Sequence, residues 1–157
     1  MRSVLCNLNI GLHLRVRVLR CYVFSILTYG VEAWTLTDAA CKRLEAFEMW
    51  CYRRMLRISW IYRVTNEAVL QRMRKQKEVL NVIKERKLSY FGHVMRNRKY
   101  SLLQLIMQGK LDGKRGPGRR RVSWLRNLRQ WTGMTSMDLF RAAANKIRWA
   151  IVIANVH

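Results

Sequence analysis

The residues most able to do chemistry lie in a glycine-rich basic loop over positions 109–121. This loop holds the only proline and four of the eight glycines of the sequence. Glycine lets a backbone approach a phosphate closely, and arginine offers paired planar donors to phosphates and base edges. The cations of the loop are Lys110, Lys114, Arg115, Arg119, Arg120 and Arg121. The pattern predicts contact with a polyanion, and the alternative is a solvated loop between helices.

A second basic segment spans residues 72–99. It contains ten basic residues, and its only acidic residues are Glu78 and Glu85. A helix that only needs to be soluble usually mixes charges of both signs, so this excess favours polyanion contact over a solvated face. The candidate nucleic-acid-binding residues here are Arg72, Arg74, Lys75, Lys77, Lys84, Arg86, Lys87 and Arg96. Arg86 and Lys87 fall in or beside an apolar helical arc, where a charge either snorkels or reaches a buried anion.

Catalytic and metal-binding patterns are missing from the sequence. Its nine acidic residues include no D-D or D-x-D pair for a two-metal site. Glu45 and Glu48 adjoin arginines, and the sequence predicts that they form surface ion pairs. No phosphate-binding or nucleophile-elbow motif occurs. We therefore expect no catalytic residue, metal, cofactor or small-molecule substrate in this chain.

Composition narrows the class of protein further. The 157 residues carry a formal net charge of +22, yet 50% of them are hydrophobic. A disordered basic tail would lack so many large apolar residues, so the chain is expected to fold around a core. The four cysteines form no C-x-x-C pair and are expected to be reduced, which indicates the nucleus or cytoplasm. The most apolar run, residues 21–31, is too short to span a membrane.

Helical periodicity runs through nearly the whole sequence. Thr37 is predicted to cap a helix buried on two sides, with Met49, Leu56 and Trp60 on the second side. The buried stripe of that helix comprises Ala40, Leu44, Phe47, Cys51, Met55 and Ile58. Further helices are predicted over residues 16–28 (with a strand as the alternative), 66–73 after Thr65, 77–96, 102–108 before Gly109, and 122–131 before Gly133.

The last predicted helix begins at Ser136 and carries the stripe Phe140, Ala143, Ala144, Ile147, Ile151 and Ala154. Gly92 and His93 predict a close helix crossing. Trp124 and Trp131 belong either to the core or to a base-stacking surface. These elements predict an all-α, irregular multi-helix bundle: a helical region over 1–108, the basic interhelical loop over 109–121, and a C-terminal helical pair over 122–157.

Five strings, in order, resemble one known family. They are LTYGVEAWTL (27–36), LEAFEMWCYRRML (44–56), RKLSYFGHVMR (86–96), the segment 113–124, and the segment 142–156. Together they are similar to the region after the polymerase palm of non-LTR (LINE-type) retrotransposon endonuclease–reverse transcriptase polyproteins. The chain departs from that family at Arg120, where proline is common, and at Asn145-Lys146, where Asp-Arg is usual.

The resemblance implies a thumb-like helical region that holds a template–primer duplex of RNA or DNA. The family's paired palm aspartates do not occur here, so the chain is predicted to be inactive by itself. Its partners would be that duplex and a polymerase domain upstream. An alternative from another class is a helical scaffold module that packs on the polymerase domain through exposed aromatics such as Trp34 and Trp50. A third is a small independent RNA-binding protein.

Overall fold

The computed structural model describes residues 2–110, 113, 118 and 123–156. Within these residues the regular structure is entirely helical and no strand forms, which confirms the predicted all-α multi-helix class. The α-helices are α1 (Arg2–Leu5), α2 (Leu12–Val18), α3 (Ser25–Leu27), α4 (Asp38–Met55), α5 (Asn66–Met73), α6 (Val79–Arg96), α7 (Ser101–Gln108), α8 (Trp124–Thr132), α9 (Ser136–Ala144) and α10 (Lys146–Ala154). A π-helical segment spans Leu19–Phe24, and 3-10 turns span Val31–Ala33, Trp60–Tyr62 and Arg98–Tyr100.

The chain divides into two compact units. The first unit comprises Met1–Gly30 and Asp38–Leu80, and the second comprises Val31–Thr37 and Asn81–His157. The boundaries predicted after residues 108 and 121 rest on changes in the composition of the sequence and not on the limits of compact structural units. That three-part division stays a prediction.

Helix α4 contributes six buried residues to the first unit. Leu44, Cys51 and Met55 on the predicted stripe are buried, and Met49 and Tyr52 are buried as well. The prediction of burial on two sides is therefore confirmed. The assignment of Trp60 to the second side is wrong, because α4 ends at Met55 and Trp60 lies beyond it in a separate 3-10 turn.

A buried carboxylate on α4 binds the beginning of α6 in the first unit. Glu48 is fully buried and accepts hydrogen bonds from the Tyr52 hydroxyl (2.9 Å), the Glu78 amide (2.7 Å) and the Val79 amide (3.3 Å). Amide groups at a helix start have no partner within the helix, and the positive end of the helix dipole favours an anion there. Burial nevertheless raises the pKa of Glu48, against the opposing effect of these hydrogen bonds. The predicted surface ion pair is wrong for Glu48, whereas Glu45 does pair with Lys77 at 2.7 Å.

Helix ends follow local sequence closely. Thr65 Oγ1 accepts a hydrogen bond from the Ala68 amide and caps α5. Gly109 and Gly133 end α7 and α8 with φ of 69° and 68°, the left-handed region that glycine enters at little cost. The helix predicted over residues 16–28 is confirmed within a longer helical stretch, residues 12–27, and Gly30 follows with φ of 64°.

In the second unit, side chains of α8 bind the backbone of residues 31–37, which comprise the Val31–Ala33 3-10 turn and a segment without regular structure. Asn127 accepts from the Leu36 amide (2.9 Å) and donates to the Leu36 carbonyl (2.7 Å). Trp124 Nε1 donates to the Glu32 carbonyl at 2.8 Å. These bonds satisfy backbone groups that no regular element would pair.

Helix α6 meets Trp149 at Gly92 in the second unit, and this contact confirms the predicted close crossing. A Cβ at Gly92 would lie 2.4 Å from Trp149 Cδ1. Trp149 is buried, and its Nε1 donates to the Leu88 carbonyl at 2.8 Å. Glycine at this position therefore lets the indole pack directly against the α6 backbone.

The prediction of one continuous last helix is wrong. Asn145 leaves helical geometry (φ −100°, ψ 118°), and its side chain accepts from the Ile147 amide at 2.9 Å and the Arg148 amide at 3.1 Å. An asparagine side chain that caps a new helix competes with continuation of the old one. The break turns Ile147 and Ile151 outward, 76% and 57% exposed, and Thr135 rather than Ser136 caps α9.

Among the described helices, none combines the length and the apolar character that crossing a bilayer requires.

Candidate nucleic-acid interface

Most of the glycine-rich basic loop lies outside the described residues. Lys114, Arg115, Arg119, Arg120 and Arg121 belong to that part, so their predicted phosphate contacts stay predictions. Lys110 is described and is exposed directly after Gly109.

The basic residues 72–77 surround the end of α5 in the first unit. Arg72 and Arg74 are exposed and Lys75 is half-buried. Arg74 ends α5 in the left-handed region, with φ of 52°. Cations at this end of a helix are favoured by its dipole. Arg72 and Arg74 therefore present positive charge to solvent at an end of the helix where cations are favoured.

The candidate cations of α6 differ in what their charged groups contact. Arg86 is exposed and lines an open cleft of about 630 Å³ together with Glu32, Glu85 and His93. Lys84 Nζ approaches the Val156 carbonyl at 3.5 Å, and Arg96 Nη1 donates to the Ala143 carbonyl at 2.9 Å. Arg96 thus binds a carbonyl in the last turn of α9, where helix carbonyls lack partners.

Lys87 does not belong to the interface, and its assignment as a nucleic-acid contact is corrected. Its side chain is 0% exposed. Nζ donates to the Trp34 carbonyl and to Asn127 Oδ1, the latter at 3.2 Å. It also lies 4.8 Å and 5.4 Å from the ring centroids of Trp124 and Trp131. An ammonium enclosed in this way cannot reach a phosphate.

The same contacts settle the alternatives for Trp124 and Trp131. Both indoles are half-buried and pack against the core of the second unit while presenting their faces to Lys87. The core interpretation is therefore confirmed for these two residues.

Sequence reasoning missed a group of arginines at the end of α4 and in the turn that follows. Arg53, Arg54 and Arg57 line an open cleft of about 610 Å³, and Arg63 lines a smaller adjoining cleft of about 330 Å³. In the described part of the chain no carboxylate lies within ion-pair distance of these four arginines. One sequence signal could have identified this group. Arginines 53, 54 and 57 lie close together near a helix end, between two tryptophans.

Among the described residues, no three His, Cys, Asp or Glu side chains are grouped closely enough to hold a metal ion. The cysteines are free thiols, and burial raises the pKa of Cys51 to about 11. Such a thiol stays protonated at neutral pH and is a poor nucleophile.

Fold and surface together define a strongly basic, all-helical chain. It is 30% identical over 121 residues to an uncharacterized transposon-derived protein of Caenorhabditis elegans. The match covers 74% of this chain and 43% of that protein, so the chain spans less than half the length of this relative. No family model and no solved structure matches the chain.

Proposed function

We propose that this chain is derived from a transposable element and is the nucleic-acid-binding, non-catalytic C-terminal part of a LINE-type reverse transcriptase. In this role it grips the backbone of a template–primer duplex. The origin is supported by the similarity to a transposon-derived protein and by the five strings that resemble the region after the polymerase palm.

The observation that carries the binding function is a net charge of +22 on a chain that folds around an apolar core. Such a surface repels itself unless a polyanion lies against it. Arg72, Arg74 and Lys110 present cations to solvent from described positions. Lysines and arginines that neutralise phosphates release condensed counterions, which favours binding without any sequence preference.

The test is filter binding of the whole chain to duplex DNA and to an RNA–DNA hybrid over a range of salt concentrations. If about six phosphates are contacted, log K should fall with log salt at a slope of about −5. Binding that is absent at low salt, or insensitive to salt, would contradict the proposal.

A triple substitution locates the contacts. Arg119, Arg120 and Arg121 changed together to glutamine should weaken binding and flatten the salt slope. A control with equal charge loss changes Arg126, Arg129 and Arg141, which are exposed in α8 and α9. If the two triple variants bind alike, the loop has no particular role and only net charge matters.

A scaffold module that packs on a polymerase domain is the second candidate, and one surface favours it. Tyr22, Ile26 and Tyr29 are exposed at intervals of four and three residues in the first unit. Tyr22 lies in the π-helical segment, Ile26 in α3 and Tyr29 two residues after α3 ends, so this stretch leaves three large apolar side chains open to solvent. A purified chain that is monomeric, melts cooperatively and binds nucleic acid would argue against this candidate. A chain that aggregates and binds no nucleic acid would favour it.

A further inference from the structure

Trp60 stands between the two clefts at the end of α4, and it contributes to the wall of both. Its side chain is 84% exposed. A large aromatic ring left open to water forgoes the stabilisation that its burial would bring. Its exposure beside several uncompensated arginines therefore points to a ligand that covers the ring and carries negative charge.

The backbone around Trp60 is held in a fixed shape. The chain leaves α4 through Arg57, whose φ of 55° lies in the left-handed region, and the Ile58 amide bonds the Arg53 carbonyl at 3.0 Å. Trp60 then begins a 3-10 turn that Ser59 caps through the Ile61 amide and that ends at Arg63, with φ of 45°. Left-handed backbone at a non-glycine residue is strained and persists only where the surroundings enforce it. The indole is thus presented by an ordered turn.

Three of the four arginines of the clefts are also held in place, by hydrogen bonds or by a ring contact. Arg53 Nη2 donates to the Val64 carbonyl at 2.8 Å, and Arg57 donates twice to the Cys6 carbonyl, at 3.1 and 2.9 Å. The Arg54 guanidinium lies 5.1 Å from the centre of the Trp50 ring. A guanidinium held by a carbonyl or by an indole keeps its full charge, because neither partner is an anion. The clefts therefore combine fixed cations with an open aromatic face.

We propose that this cleft pair binds single-stranded nucleic acid, with one base stacked on Trp60 and the flanking phosphates bound by Arg54 and Arg63. A positively charged groove with an aromatic platform is the arrangement that holds single strands without reading their sequence. A base inside a duplex is already stacked on its neighbours and cannot offer its face to the indole. The inference rests on the proposed function and adds to it a site for an unpaired strand next to the duplex.

An acidic peptide fits the site less well. Its carboxylates would engage the arginines, but they offer nothing to the open face of Trp60, whose π surface is electron-rich and repels anions. A nucleotide satisfies both features at once, because it carries a flat base and a phosphate on one short unit. A cleft of about 610 Å³ is large enough for a ligand of that size.

The test compares Trp60→Ala with two matched variants of the whole chain, Tyr62→Ala and Trp60→Phe. Tyr62 lies in the same 3-10 turn, is 72% exposed and lines neither cleft. Fluorescence anisotropy would measure binding to labelled dT12, rU12 and a 20-base-pair duplex at one salt concentration. We expect Trp60→Ala to bind both single strands about tenfold more weakly, the size of one lost base–aromatic stack, with duplex binding unchanged. Tyr62→Ala and Trp60→Phe should bind within about twofold of the unaltered chain.

Several results would overturn the inference while leaving the proposed function intact. One is a Trp60→Ala variant that binds dT12 and rU12 as the unaltered chain does. Another is an equal loss for duplex and single strands, which would give Trp60 a general structural role. A third is displacement of dT12 by poly-glutamate as readily as by unlabelled dT12, which would indicate an acidic protein partner. Failure of the unaltered chain to bind any of the three nucleic acids would overturn both the inference and the proposed function. A difference between the dT12 and rU12 arms identifies the preferred strand.

Discussion

Replacing Lys87 by methionine tests whether this cation stabilises the fold of the second unit or binds a ligand. Lys87 donates to the Trp34 carbonyl and to Asn127, and its ammonium lies against the rings of Trp124 and Trp131. Methionine retains an unbranched apolar stem of similar length but has no charge and no donor. We expect the Lys87→Met variant to fold less stably and to bind nucleic acid as before.

The expected change in the unfolding free energy combines the contacts that Lys87→Met removes with the desolvation cost that it avoids. The partly buried Trp34 carbonyl would lose its ammonium donor, at a cost of about 1–3 kcal/mol. Two desolvated cation–π contacts contribute about 1–2 kcal/mol each. Methionine offsets part of this loss because no ammonium has to be desolvated, a saving of several kcal/mol. The net destabilisation is then about 2 kcal/mol, or about 4–8 °C in melting temperature for a chain of this length.

The matched control is Arg86→Met, which removes the same charge from the neighbouring, exposed position of α6. Urea unfolding should show a clearly larger loss of stability for Lys87→Met than for Arg86→Met, because Lys87 is buried and Arg86 is exposed. In filter binding, Arg86→Met should lower the salt slope by about 0.9 if Arg86 contacts one phosphate, and Lys87→Met should leave the slope unchanged. Unchanged stability of Lys87→Met together with a reduced slope would refute the placement of Lys87 in the core.

Two further predictions concern buried contacts. Gly92→Ala should lower the unfolding free energy by about 1–3 kcal/mol, because its Cβ would lie 2.4 Å from Trp149; a variant as stable as the unaltered chain in urea would contradict this. Since burial raises the pKa of Glu48 in the folded state, its contribution to stability is full below the ordinary value of 4.5 and is lost as pH rises through the folded value. The unfolding free energy of the unaltered chain minus that of Glu48→Gln should therefore fall as the pH rises above 4.5, and a rise would contradict the argument.

Several elements were predictable because their determinants are local. A capping hydroxyl at Thr65 and glycines at 109 and 133 act within one helical turn, so short sequence windows contain the whole cause. The break at Asn145 is also local, but it was missed. Apolar spacing continues through residues 140–154, and periodicity alone cannot distinguish an asparagine within a helix from one that caps the next helix.

Whether an individual charged side chain is buried or exposed was not predictable from short sequence windows. Lys87 is buried by groups 40 and 53 residues away along the chain, and Glu48 by amides 30 and 31 residues away. Both residues have charged neighbours in sequence, which favours a surface assignment. The cleft at Trp60 depends likewise on where α4 ends, because a longer helix would have placed the indole on its second side.

The sequence by itself determined the helical class, the large excess of positive charge over acid, and the resemblance to one family of retroelement polyproteins. These properties depend on composition and on order along the chain, which folding does not alter. Only the tertiary structure decided which cations are available to a ligand. A charged group is buried where distant segments surround it with carbonyls and aromatic rings, as at Lys87. It stays exposed where they do not, as at Arg54 and Arg63. That difference lies in the long-range packing of each side chain, which periodicity and charge counts do not contain.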